Sequence, residues 1–444
     1  MKKTNVILLL SGLLCSVIYL SSISCGNGAG SNTGGLATTD TGKINTPLSP
    51  VMPYDVTLPS GKAVLETNIR RSFDLFSWHS FIALSWPLQG SGVIGQYGDN
   101  PTVWETWKKN YQVFLDSGQA PAPWNTVMQN KEITLSQTGK TPANMTAIFQ
   151  PFLTGPLIDQ NGQYNRFEIA MNKEMFDYID LHKLYNIEGQ QSFTSTIMFP
   201  EGDDSAKTYG AVMVKASWKI LGKGDDTARF HKVKAIIHIA ALPSRGIRDS
   251  SYEAWVGLVG FHIGTKTKIS PQWIWSTFEQ TDNVPDYGKA VNGKHYNFYN
   301  AAAGDKALNK APAQPWNPGI PGQTPSQVAR LTPIDTGTQA LNDSIHKILV
   351  AINPHSVWQY YELVGTQWPV HPEQSNNGDP FPVYMANCTL ETYDQGNLNL
   401  KTGKVSYSPG VTSSCIGCHN GATSWGARQS DFTYLLKTAN AIKK

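Results

Sequence analysis

Apolar residues recur at helical spacing in three places along the chain. Folded structure is expected to begin near Val64, where Ile69, Phe73, Phe76, Ser80 and Ala83 form one stripe and Leu75, Trp78, His79, Ile82 and Trp86 a second. A helix that is apolar nearly all round belongs in a core. A second helix is predicted after Asn172, with Met175, Phe176 and Ile179 turned inward. A third runs from about Thr338 to Ile352, carries Leu341, Ile345, Ile348, Leu349 and Ile352 on one face, and ends before Pro354. Between them lie strand-like runs: Ala211 to Leu221, Arg229 to Ala240, Ala254 to Thr267 and Gln272 to Phe278. In the second run Val233, Ala235, Ile237 and Ile239 alternate with Lys234, Ile236 and His238, the period of an antiparallel sheet with a packed face. The expected fold class is α+β: a mostly antiparallel sheet with packed helices and long Pro/Gly loops, of which Gly304 to Pro325 is the clearest.

The first 24 residues have a different pattern. A basic start, Lys2-Lys3, leads into an apolar stretch from Val6 to Leu20 and a small-residue end, Ser21-Ser22-Ile23-Ser24, before Cys25. This is the layout of an export signal, too short and too close to a cleavage site for a permanent membrane helix. The residues before Cys25 resemble the box at which bacterial lipoproteins are cut and acylated, although Ser22 stands where such boxes usually carry Leu, so secretion without a lipid is the alternative. From Gly26 to Pro50 the chain is rich in Gly, Thr, Ser and Asn, a composition that cannot bury enough surface to fold. Residues 25–50 are therefore expected to be a flexible tether behind a lipidated Cys25, residues 51–379 an α+β domain, and residues 380–444 a segment packed on it. The implied location is periplasmic or cell-envelope, with the membrane touched only through the N-terminal lipid.

Composition narrows the partners. With 40% hydrophobic and 16% charged residues the chain can bury a sizeable core. The net charge of +3 falls to about +1 once Lys2 and Lys3 are removed, so nucleic acid is not implied.

The chemistry is concentrated near the end of the chain. Cys415-Ile416-Gly417-Cys418-His419 is C-x-x-C-H, the attachment signature of c-type haem. On a helical turn, positions three and four apart share a face, so both thiols and the imidazole can address one flat porphyrin. The two sulfurs would form thioethers and His419 would ligate iron, with Ser413 or Ser414 capping the turn. The alternatives are a zinc site completed by Cys388 and one His, or a redox dithiol, which would want a thioredoxin-like frame that is not evident. After the motif, Ser430-Asp431 reads as a helix cap, and Phe432, Leu435, Leu436, Ala439 and Ile442 form one apolar stripe. A helix closing over the haem edge is predicted there, so that residues 380–444 would form a small helical haem c segment.

No Met or His follows His419, so a sixth iron ligand must come from upstream: Met385, His262, His79, His355 and His371 are the candidates. His79 and His262 lie in apolar stretches where core histidines are common, and Met385 fits simple packing equally well. Cys388 has no evident partner and is expected to be a buried free thiol.

Several blocks together resemble exported bacterial monohaem cytochrome c family proteins: FSWHSFIALSWP from Phe76, VWETWK from Val103, GFHIGTKT from Gly260, QWIWSTFEQTDNVP from Gln272, ETY from Glu391, SSCIGCHNGATS from Ser413 and SDFTYLL from Ser430. The resemblance implies one covalent haem at Cys415 and Cys418 with iron on His419, and no catalytic residue. The expected activity is electron transfer with a redox partner protein. The alternatives are a haem oxidoreductase acting on peroxide or oxygen, and a haem redox or gas sensor. On this reading Cys25→Ser should move the chain from the detergent phase to the aqueous phase in a phase-partition assay. A wild-type chain already found in the aqueous phase would remove the lipid anchor.

Overall fold

The periodic stripes become three helices. The first, α1, is Glu66–Leu84. A short α2 lies at Asn110–Val113. Next come α3, Lys173–Leu181, and α4, Ile187–Ser192; then α5, Thr336–Ile352, and a single turn α6, Cys415–His419. Asn172 and Asp335 cap α3 and α5, their side-chain oxygens accepting from Met175 N and Gly337 N. The strands are β1 (Lys108–Lys109), β2 (Ile133–Ser136), β3 (Arg166–Met171), β4 (Val212–Ile220), β5 (Lys232–Ile239), β6 (Ser250–Thr265), β7 (Ile274–Gln280), β8 (Tyr361–Pro369) and β9 (Pro380–Phe381), with a small hairpin of β10 (Asn397–Asn399) and β11 (Lys404–Ser406). These come from a computed structural model that describes residues 48–59, 66–88, 101–126, 133–136, 154–239, 246–313, 323–373, 378–408 and 414–443, with Ile94, Ala241 and Pro243. The leader, Cys25 and most of the tether lie outside the described residues, as does part of the Gly304 to Pro325 loop. All described residues belong to one compact unit within 42–444.

The fold is α+β. The large sheet runs β1-β3-β4-β6-β7-β8-β9, antiparallel along that path, with β5 on the first half of β6 and β2 parallel to β5. β6 can serve three partners because it is 16 residues long: Ser250 to Gly257 pairs with β5 and Gly260 to Thr265 with β7, while Val256 to Thr265 pairs with β4. Every strand run expected from the sequence is present within a few residues. Two central strands, β3 and β8, were not expected, because their inward positions include Arg166, Glu168, Thr366 and Gln367, which break an apolar pattern.

Strand alternation decides what covers each face. One row across the sheet is Ala170, Val214, Ile263, Ser276 and Thr366. Ser77 of α1 shares hydrogen bonds of 2.7 Å with Ser276 and Thr366, so α1 lies on this face. Asp74 of α1 accepts from Thr366 at 2.8 Å and from Thr338 of α5 at 2.6 Å, tying both helices to the sheet. Trp78 donates Nε1 to Asn342 of α5 at 2.9 Å and packs edge-on against Phe278 with ring centroids 5.1 Å apart. The neighbouring row, Met213, Gly264, Trp275 and Gln367, points the other way. That second face carries α3, α6 and the chain beyond Met385, in a cluster containing Met175, Phe176, Trp275, Met385, Ile416 and Leu436. Trp78→Ala should therefore cost about 3–5 kcal/mol of stability, read by denaturant unfolding; a loss under about 1 kcal/mol would mean that α1 is not the main cover of its face.

Candidate functional site

The motif is a helical turn docked end-on against β8. Ser414 caps α6 by accepting from Gly417 N at 3.1 Å, as one of the two expected serines. Gln367, buried on β8, accepts from Ile416 N at 2.8 Å, which satisfies a second exposed amide of the turn. Ile416 is fully buried, so Cys415, Cys418 and His419 are left half-buried around it. Neither sulfur is in a disulfide. Burial pushes the Cys415 thiol well above its ordinary value and Cys418 up to about 11, and the Glu391 carboxylate adds to each. They are therefore neutral thiols at physiological pH.

His419 is held from one side. Its Nδ1 lies 2.7 Å from the carbonyl of Phe432, which fixes Nδ1 as the protonated nitrogen. Its ring packs against Trp275 at a tilt of 44° with centroids 4.4 Å apart and meets Tyr434 edge-on at 5.4 Å. Nε2 has no hydrogen-bond partner among the described residues. Burial, with the positive charges of Lys215 and His262 adding to it, pushes the imidazole down to about 4, so the ring is neutral. A neutral imidazole with one nitrogen pinned to a carbonyl and the other free is the metal-ligating state of histidine.

The carbonyl of Phe432 is aimed by a backbone turn rather than by the predicted helix. Asp431 and Phe432 both have left-handed φ, 51° and 65°. The Asp431 carboxylate is occupied by Lys266 at 2.6 Å and Phe199 N at 2.7 Å, so it does not cap a helix. In place of that helix stands a 3-10 turn, Tyr434–Thr438, capped by Thr433. Phe432, Leu435, Leu436 and Ala439 are buried as the stripe required, whereas Ile442 is exposed.

Residues 385–391 supply the charge in front of the motif. Asn387, fully buried, donates to Thr277 Oγ1 and Phe278 O, both at 2.9 Å, and accepts from Thr389 N at 2.9 Å. This presses residues 385–391 onto the sheet, and two glycines make room. A Cβ on Gly260 would lie 2.1 Å from Thr389 Oγ1, and one on Gly365 would lie 3.0 Å from the sulfur of Met385. The turn then presents Glu391, which accepts from Asn387 N at 2.9 Å and sits 3.4 Å from Nε2 of His262. Burial alone would raise the Glu391 carboxyl, but the positive charges of His262 and Lys215 outweigh it and hold the group below its usual range. The ammonium of Lys215 lies over the Phe167 ring at 5.0 Å and has no ion pair or hydrogen bond among the described residues.

The remaining candidates separate by face. His79 belongs to α1, on the opposite side of the sheet from the motif. His355 is exposed after α5, and His371 is half-exposed beside Glu373. Of the five candidates, His262 and Met385 lie on the motif's face. Cys388 is fully buried; its amide donates to Glu279 at 2.6 Å, and Glu279 in turn pairs with Arg330 at 3.1 Å. Burial and Glu279 push the Cys388 thiol far up. It does not approach the motif as a zinc site would need, and among the described residues no three His, Cys, Asp or Glu side chains converge as a metal-ion site. Of the functional positions, Asn387, Gly365, Gln367 and Lys215 carry no sequence signal of a role, being single polar or glycine positions in strands and loops.

Compared with family models, with curated proteins and with solved structures, the chain matches none. Gly260→Ala is expected to lower stability by about 1–3 kcal/mol through the clash with Thr389, measured by thermal unfolding. An unchanged melting temperature would show that residues 387–391 do not depend on that contact.

Proposed function

We propose that this chain is an exported c-type cytochrome of the monohaem kind, anchored through Cys25 and acting in electron transfer with a redox partner protein. One haem would be bound by thioethers from Cys415 and Cys418, with His419 as an iron ligand. The observation that carries the reading is the state of His419: neutral, with Nδ1 committed to Phe432 O and Nε2 unbonded. The two cysteines on the same helical turn, neither in a disulfide, are the second support. A haem bound here supplies a one-electron couple whose potential depends on its second ligand, its burial and nearby charge.

The chain's own residues would perform the rest. Phe432 O fixes the tautomer and raises the basicity of His419. Trp275, in van der Waals reach of the ring, excludes water from one side. Gln367 and Ser414 hold the turn, so the thiols and the imidazole keep one relative orientation. Tyr434, 45% exposed, touches the His419 ring and donates to Cys418 O at 2.9 Å, so the motif lies at the protein surface beside it. That edge suits exchange of electrons with a docked protein.

The test is covalency. Protein expressed with export and haem-maturation machinery, then denatured, should keep its pigment and have the mass of the polypeptide plus one haem. The double variant Cys415→Ala, Cys418→Ala should lose the pigment on denaturation. Pigment released from the denatured wild type, or a bare polypeptide mass, would overturn the reading.

A further inference from the structure

We infer that His262 would supply a second ligand to the haem iron, oriented by Glu391; this rests on the haem reading above. His262 and the motif share one face of the sheet through register. His419 lies on Trp275, and the β6 partner of Trp275 is Gly264. Two residues further along β6, about 7 Å of strand rise, stands His262, paired with Thr277. Gly264 carries no side chain and Ile263 points to the other face, so neither places a side chain between the two imidazoles.

The chemistry of the surroundings favours a ligand role over packing. His262 Nε2 is buried and makes no hydrogen bond, although the Glu391 carboxylate is 3.4 Å away. Nδ1 likewise has no partner among the described residues. The buried Nε2 of this partly exposed imidazole costs free energy without a hydrogen bond unless something else binds the ring. A carboxylate on one ring nitrogen and a metal on the other is the common arrangement around ligating histidines. Met385 has a sufficient explanation without iron: its sulfur fills the space above Gly365, and its side chain belongs to the same apolar cluster as Ile416.

The experiment is optical and paramagnetic spectroscopy of the haem-loaded full chain, with covalent haem confirmed first by mass. The wild type should be six-coordinate and low-spin, should lack the far-red band of sulfur ligation, and should bind carbon monoxide slowly in the ferrous state. His262→Ala should retain its covalent haem, become high-spin, bind carbon monoxide rapidly, and return to low-spin on adding free imidazole. Met385→Leu should leave the spectrum unchanged. A far-red band in the wild type, needing no variant to fold, would overturn the assignment, as would an unaltered spectrum in His262→Ala. Absence of covalent haem would instead sink the underlying reading, which the mass distinguishes from a failure of the ligand alone.

Discussion

A sheet strand can bury both of its faces only if each alternate position finds its own layer, and the central strands of this protein meet that constraint in opposite chemical styles. Toward α1 and α5 the layer is aromatic, with Trp78, Phe81 and Phe278 at its centre and a small polar seam of Asp74, Ser77, Ser276 and Thr366 setting the docking of the helices. Toward the C-terminal chain the sheet offers glycines and amides. Gly260 and Gly365 admit backbone and a methionine, while Gln367 accepts from the motif turn. The helical layer gives stability, and the other face is where polar groups converge.

This division explains which elements were legible in the sequence. α1, α3 and α5 announce themselves because one apolar stripe must face one core, and the 3.6-residue period survives local exceptions. β5 alternates plainly, with Ala235, Ile237 and Ile239 buried between less buried neighbours. β3 is hidden by its own interior: Glu168 lies buried in a pair with Lys109 at 2.9 Å and accepts from Trp218 at 3.0 Å, an arrangement no hydropathy pattern encodes. β8 is hidden because Gly365 and Gln367 serve the segment above it rather than a hydrophobic layer.

The motif is visible through covalent spacing alone, yet its immediate partner is a main-chain carbonyl, which has no residue signature. The stripe from Phe432 to Ala439 is apolar as expected but takes a different conformation from the expected helix. Two successive left-handed residues spend Asp431 on Lys266 and turn Phe432 O toward His419, so the cap signal of Ser430-Asp431 is real as a turn and false as a helix start. The cluster of Glu391, His262 and Lys215 is assembled from residues far apart in sequence, and only register and the Asn387 clamp bring them together.

The setting of Cys388 has a consequence for selectivity. Its sulfur has no exposure, and Glu279, itself accepting from the Cys388 amide, disfavours the thiolate. Among the described cysteines, an electrophile or oxidant arriving at the folded protein therefore meets Cys415 and Cys418 in preference to Cys388. The carboxylate that holds the Cys388 amide against the sheet thus also quiets its thiol.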